Sequence, residues 1–245
     1  MLAVSGVRKS FYGFVALDGV DLHVEPGSFH ALVGPNGAGK TTLFNVIVGR
    51  YRPDAGEVRL AEKRITGWPT QRVVRSGLGI SFQRAQAFLS MSVLDNVALA
   101  VLAQEGLTRN GLRPLAAFPE ARSRARELLG WVGLEERARE PAEALPLGDL
   151  KRVDIAMALA GLPRLLLLDE PLAGLSRSER REMVRFIEEL LRGLGLTLLF
   201  TEHDTEAVLR LADRITVLHQ GRVLAEGAPD EIKNDARVIE AFLGE

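Results

Sequence analysis

The 245-residue chain contains no cysteine, which excludes disulfides and thiolate metal sites and fits, without requiring, a reducing compartment. Zinc has little else to draw on: the four histidines, at 23, 30, 203 and 219, share no metal-ligand spacing. Long apolar runs are equally scarce. The longest, residues 97–103 and 165–168, fall far short of the ~20 residues that a bilayer-spanning helix needs. Residues 1–14 lack the apolar stretch of a signal peptide, so we expect neither a leader nor a membrane span. Charge of one sign is missing too. The 31 basic and 32 acidic residues leave a net charge of −1, so nothing global favours nucleic acid, and none is expected as a partner. With 47% hydrophobic residues the chain can still bury a core, as one large domain or a domain with a subdomain.

What the sequence does have is the run Gly34-Pro35-Asn36-Gly37-Ala38-Gly39-Lys40-Thr41-Thr42. Residues 29–33 read as a buried strand and residues 42–48 as the opening of an amphipathic helix. A glycine-rich turn between strand end and helix start lets successive N–H groups face one centre, where the helix dipole adds positive charge. Lys40 would reach the β- and γ-phosphates of a nucleotide, and the Thr41 hydroxyl would ligate Mg²⁺. The plainer reading is a glycine turn capped by threonine, with Lys40 a solvated cation.

Around this loop the pattern is strand-rich to about residue 80, with runs at 2–7, 15–24, 29–33 and 57–60. It is helical from about 92 to 160, at 93–104, 120–132 and 147–159. Strands return at 164–168, 196–200, 215–218 and 223–225, with helices at 178–192 and 205–211 between them and two short surface helices in the tail, 228–243. This is an α/β pattern with crossover helices and a helical interruption. The strand Leu165-Leu166-Leu167-Leu168 delivers Asp169 and Glu170 to its C-terminal edge, where open α/β sheets bind ligands. Asp169 would hold Mg²⁺ through water and Glu170 would act as general base on the attacking water. A strand ending in exposed acids is the alternative. His203 follows the next strand, a place where a lone histidine is more often structural.

The order of phosphate loop, Phe82-Gln83, helical insert, Leu-x-x-Gly, Leu165 to Pro171 and His203 resembles the ATP-binding subunit of an ABC transporter over nearly the whole chain. The resemblance implies a P-loop NTPase fold with an antiparallel β subdomain and a helical insertion. Residues 1–84 and 161–245 would form the ATP-binding core and 85–160 the helical signature subdomain. It makes Gln83 a glutamine that touches Mg²⁺ and senses the γ-phosphate, and His203 the switch histidine on that phosphate. It makes Phe11 the ring that stacks on adenine, with Tyr12 next in line. Ala173-Gly174-Leu175-Ser176 occupies the D-loop, with Ser176 where many relatives carry Asp. Ala16 to Val20, Leu43-Phe44-Asn45, Glu202-His203-Asp204, Gly221 and Glu226-Gly227 are similar to the branched-chain amino-acid transporter subgroup.

The resemblance breaks at the signature, Leu-Ser-Gly-Gly-Gln in the family and Leu145-Pro146-Leu147-Gly148-Asp149 here. Pro146 has neither hydroxyl nor N–H, and Asp149 puts negative charge near a polyanion, although proline suits the first turn of the helix at 147–159. In the family each ATP lies between one subunit's loop and the other's signature. The resemblance therefore implies permease subunits and a second ATP-binding subunit as partners, with a heterodimer favoured. It also implies a place at the cytoplasmic face of the cell membrane, where residues 84–92, with Phe88, Leu89 and Met91 exposed, would meet the permease. A soluble relative acting on nucleic acid or ribosome, and a low-activity nucleotide-binding regulator, are the competing readings.

Overall fold

The computed structural model describes residues 1–83, 86–107 and 114–243. Two sheets organise it. β1 (Leu2–Phe11) and β2 (Phe14–Val24) form a hairpin that β4 (Ala55–Leu60) and β5 (Lys63–Arg64) extend into an antiparallel sheet of order β2-β1-β4-β5. The second sheet has the order β10-β9-β3-β8-β7-β6. It is built from β3 (Phe29–Val33), β6 (Leu78–Ser81), β7 (Leu165–Asp169), β8 (Thr197–Thr201), β9 (Arg214–His219) and β10 (Arg222–Gly227). Its pairings are parallel apart from β10 on β9.

The central strands are buried on both faces, so their sequences are continuous apolar runs, and alternate residues serve separate cores. Leu32, Leu165, Leu167 and Leu199 face one core with α1 (Lys40–Ile47), which lies between the two sheets and buries Leu43, Phe44 and Ile47 against Val4, Leu22 and Val58. Phe29, Ala31, Leu166, Leu168, Leu198 and Phe200 face the other core. There they meet α3 (Val93–Glu105), α4 (Pro119–Trp131), α5 (Leu147–Leu159), α6 (Arg177–Gly193) and α7 (Thr205–Leu211). α6 shows the helical period plainly: Met183, Val184, Ile187 and Leu191 are its buried stripe, each contributing about 1.5–3 kcal/mol through burial.

The expected elements are present, with ends shifted by a few residues, and β1 is longer than residues 2–7. Three strands or α-helices were not expected from the pattern: the two-residue β5, α2 (Thr70–Arg75) and β6. α2 has six residues and buries only Val73, too little for a periodic stripe. β6 is four residues on a sheet edge, and Gly79 interrupts its apolar run. The glycine is required by packing: a Cβ there would come within 2.6 Å of the Ala158 carbonyl oxygen on α5. The tail forms α8 (Pro229–Lys233) and α9 (Ala236–Leu243) as expected. They are not purely superficial, since Ile232 and Val238 join the larger core. Among the described residues no helix is long and apolar enough to cross a membrane.

Candidate functional site

β3 is buried at every position and hands the chain to the glycine-rich loop, which α1 closes. Gly34 sits at φ +150°, and a Cβ on it would meet the Leu218 carbonyl oxygen at 2.0 Å. Gly39 is the N-cap of α1 at φ +106°, with no side-chain cap, and a Cβ there would meet the Ala16 carbonyl oxygen at 2.6 Å. Only glycine fits both the left-handed backbone and the close approach. The loop is pinned where Ala38 N donates to Pro35 O at 3.2 Å and Gly221 N donates to Ala38 O at 3.0 Å. Asn36, Gly37 and Thr41 are exposed, and Thr42 is half-buried. Lys40, 7% exposed, donates to the carbonyls of Gly34 at 2.5 Å and Pro35 at 3.0 Å. It is thus a buried cation folded onto its own loop, and the reading of it as a solvated cation fails.

β7 and β8 bring the acids and the histidine to the same sheet edge, β8 lying between β3 and β7. The Thr201 hydroxyl donates to Asp169 Oδ1 at 2.6 Å. Burial pushes the Asp169 carboxyl above the usual carboxylate range, opposed by this hydrogen bond and by the charge of Lys40. Glu170 stands at φ +49°, a left-handed conformation rare outside glycine, and its N–H donates to Thr201 O and Oγ1, both at 3.1 Å. Its carboxylate is held from two sides: the Gln83 amide donates to Oε2 at 2.6 Å and His203 Nε2–H donates to Oε1 at 2.9 Å. Two side chains, 87 and 33 positions from Glu170 in sequence, thus converge on its carboxylate.

Gln83, expected beside Thr41 and Asp169 at a metal, has its amide hydrogen-bonded to Glu170. Among the described residues no group of three or more His, Asp or Glu could hold a metal. The Thr41 hydroxyl and the Asp169 carboxylate are oxygen donors of the kind that suits Mg²⁺. Phe11 lies on the antiparallel sheet, its ring edge-on to Tyr51 at 5.1 Å and 5.3 Å from Lys9 Nζ. Tyr12 is fully exposed at φ +49°, so Phe11 is the ring with a built setting.

The signature residues start α5. Pro146 is the N-cap, one position before the expected first turn, at φ −56° and ψ 154° with no side-chain cap. A proline at that position removes no N–H from the first turn, so the donors of Leu147, Gly148 and Asp149 persist. Asp149 does not stand as a bare charge either: Arg137 donates to its Oδ2 at 2.6 Å while also pairing with Glu140 at 2.8 Å. The carboxyl of Glu140 is held down mainly by that Arg137 hydrogen bond. Phe88 and Leu89 are exposed as expected, at 55% and 52%, whereas Met91 is half-buried. Arg84 and Ala85 lie outside the described residues.

The roles of three buried groups escaped the sequence reading. Glu202, 6% exposed, accepts from Leu172 N at 2.7 Å and His203 N at 3.0 Å, fixing the start of the D-loop and the histidine together. Lys151 Nζ, on α5, donates to the Glu170 carbonyl at 3.4 Å. Asp154, one turn on, accepts from the Ser81 hydroxyl and from Gln86 N at 3.0 Å. A lysine and an aspartate inside an otherwise apolar helical stripe were the available signal.

The profile of the family described as ABC transporter matches residues 17–173, and that of the branched-chain amino acid ATP-binding cassette transporter matches residues 222–245. The high-affinity branched-chain amino acid transport ATP-binding protein LivG of Escherichia coli (strain K12) is 39% identical over 251 residues, 100% of this chain and 98% of that protein. BraF of Pseudomonas aeruginosa, of the same description, is 37% identical over 252 residues, with the same coverage of 100% and 98%. The solved ADP conformation of MJ1267, an ATP-binding cassette of an ABC transporter, superposes with a TM-score of 0.86 at 31% identity, covering 100% of this chain and 99% of that one. The fold, the sheet-edge geometry and full-length likeness at this level agree, and the chain belongs to the ABC transporter family as one of its ATP-binding, ATP-hydrolysing subunits.

Proposed function

We propose that this ATPase powers a membrane importer of branched-chain or related amino acids from the cytoplasmic face of the cell membrane. The carboxylate of Glu170, held between Gln83 and His203 beside the phosphate loop, carries the hydrolytic part of the reading. The names of LivG and BraF and the match at residues 222–245 support the cargo.

ATP enters with adenine on Phe11 and its phosphates over residues 34–42, where the backbone N–H groups of Gly37, Ala38 and Gly39 and the α1 dipole favour negative charge. Lys40 exchanges the carbonyls of Gly34 and Pro35 for phosphate oxygens. Thr41 and Asp169, with Gln83 alongside, would hold a Mg²⁺ ion, which would neutralise phosphate charge when bound. Glu170 takes the proton of the attacking water as His203 and Gln83 turn toward the γ-phosphate. Residues 1–84 and 161–245 act as the ATP-binding core and 85–160 as the unit that carries the signature. Its α5 N-terminus completes the site of a second ATP-binding subunit, and a heterodimer is favoured because Pro146 has lost the signature hydroxyl. Phe88 and Leu89 offer the contact to the permease subunits.

The test is uptake of labelled leucine into vesicles holding this chain, its genomic permease partners and the cognate binding protein. ATP-dependent uptake that Lys40→Ala abolishes is expected. Absence of uptake for every branched-chain amino acid, with ATP turnover intact, would overturn the cargo while leaving the ATPase.

A further inference from the structure

We propose that Lys151 and Asp154 form a buried positioning pair that ties α5, whose N-terminus faces a second subunit's nucleotide, to the general base Glu170 of this chain. The inference rests on the hydrolytic reading of Glu170 above. The two residues are three apart on one face of α5 and are 7% and 4% exposed. They reach the same glutamate by separate routes. Lys151 contacts its main-chain carbonyl at 3.4 Å. Asp154 accepts from Ser81 and from Gln86 N, which flank Gln83, and Gln83 donates to the Glu170 carboxylate at 2.6 Å.

Packing alone does not explain such a pair. Burial lowers the affinity of Lys151 for its proton and raises that of Asp154, each opposed by neighbours of opposite charge or by hydrogen bonds. Removing two ions from water costs more than filling the same space with apolar side chains, and the rest of the α5 face is apolar: Val153, Ile155, Ala156 and Leu159. Position is what the polar groups add. Glu170 holds a left-handed φ of +49°, so the direction of its carbonyl depends on what grips it. α5 also lies so close to β6 that no Cβ fits at Gly79. A shift of α5 therefore moves the Glu170 main chain and the Gln83 amide together. A phosphate arriving at the α5 N-terminus is reported to the base of the other site through these two contacts.

The experiment measures ATP turnover against ATP concentration in the assembled transporter, with each variant made in the full-length chain. Asp154→Asn and Lys151→Met each lower kcat about tenfold with KM for ATP held within about twofold. In a Gln83→Ala background Asp154→Asn costs nothing further, because its route runs through Gln83, whereas Lys151→Met keeps its full factor. Ser81→Ala, which removes a hydroxyl and no charge, gives a smaller Gln83-dependent loss of about threefold and stands in if Asp154→Asn does not fold. Independent multiplication of the Asp154 and Gln83 effects, or a rise in KM with kcat unchanged, overturns the proposal. Undiminished turnover in Glu170→Gln would instead remove the hydrolytic reading on which it rests.

Discussion

Two helix N-termini in this molecule face phosphate in the proposed mechanism, and they are built differently. α1 begins at Gly39 and α5 at Pro146, neither with a side-chain cap, whereas α3, α6 and α7 are capped by Ser92, Ser176 and Asp204. α2, α4 and α8 also lack a side-chain cap, but α4 and α8 start on Pro119 and Pro229, which have no N–H to satisfy, and α2 is only six residues long. Unmet N–H donors at a helix start attract an anion, so leaving α1 and α5 open suits a ligand better than it suits stability. The charges then differ. α1 carries Lys40, buried and folded onto its loop. α5 carries Asp149, with Arg137 beside it. One end supplies a cation of its own; the other supplies backbone donors with its charge already balanced. This softens the expectation that the departures at 146 and 149 spoil the signature: the hydroxyl is lost, but the dipole and the first-turn donors remain.

The comparison breaks first at the loop side. Glu170→Gln keeps the shape of the side chain and removes the base, and we expect turnover to fall by roughly 10²–10⁴-fold while equilibrium binding of labelled Mg²⁺ATP is retained. Turnover within twofold of the parent would move the base elsewhere. Gly34→Ala forces a Cβ onto the Leu218 carbonyl oxygen, and denaturant unfolding should show a loss of about 3 kcal/mol, together with loss of nucleotide binding.

The α5 side should respond more mildly. Arg137→Ala bares Asp149, and turnover of the assembled transporter should drop about tenfold, the scale of one uncompensated charge near a polyanion. Asp149→Gln in that background restores it. Pro146→Ser with Asp149→Gln should raise turnover of the assembled transporter above the parent, and no change would show that the departures are silent. The smallest effect is set by a helix with no phosphate to meet. Asp95 N donates to the Ser92 hydroxyl at 3.1 Å, so Ser92→Ala should cost about 1 kcal/mol in thermal unfolding and leave turnover within twofold.

The buried strands β3, β7 and β8, the glycine loop and the acids at the end of β7 were legible because each is a local pattern: apolar runs, a glycine spacing, charges where a run stops. β6 and α2 were not, being too short to show a period. Residue roles divided in the same way. Lys40 and Thr41 could be named from the loop and Asp169 from its strand, but the grip of Gln83 and His203 on Glu170 joins three separate elements. The meaning of Asp149 turned on Arg137, which precedes α5 and carries no motif.

The sequence by itself therefore determined the class of fold and the nucleotide loop, because strand burial, glycine conformation and helix dipoles act over a few neighbouring residues. Only the tertiary structure decided how the charges are paired. Whether Asp149 repels or is neutralised, and whether Lys151 and Asp154 are buried partners or surface ions, depends on which distant groups fold to within a few ångströms, where Coulomb attraction and desolvation are strongest.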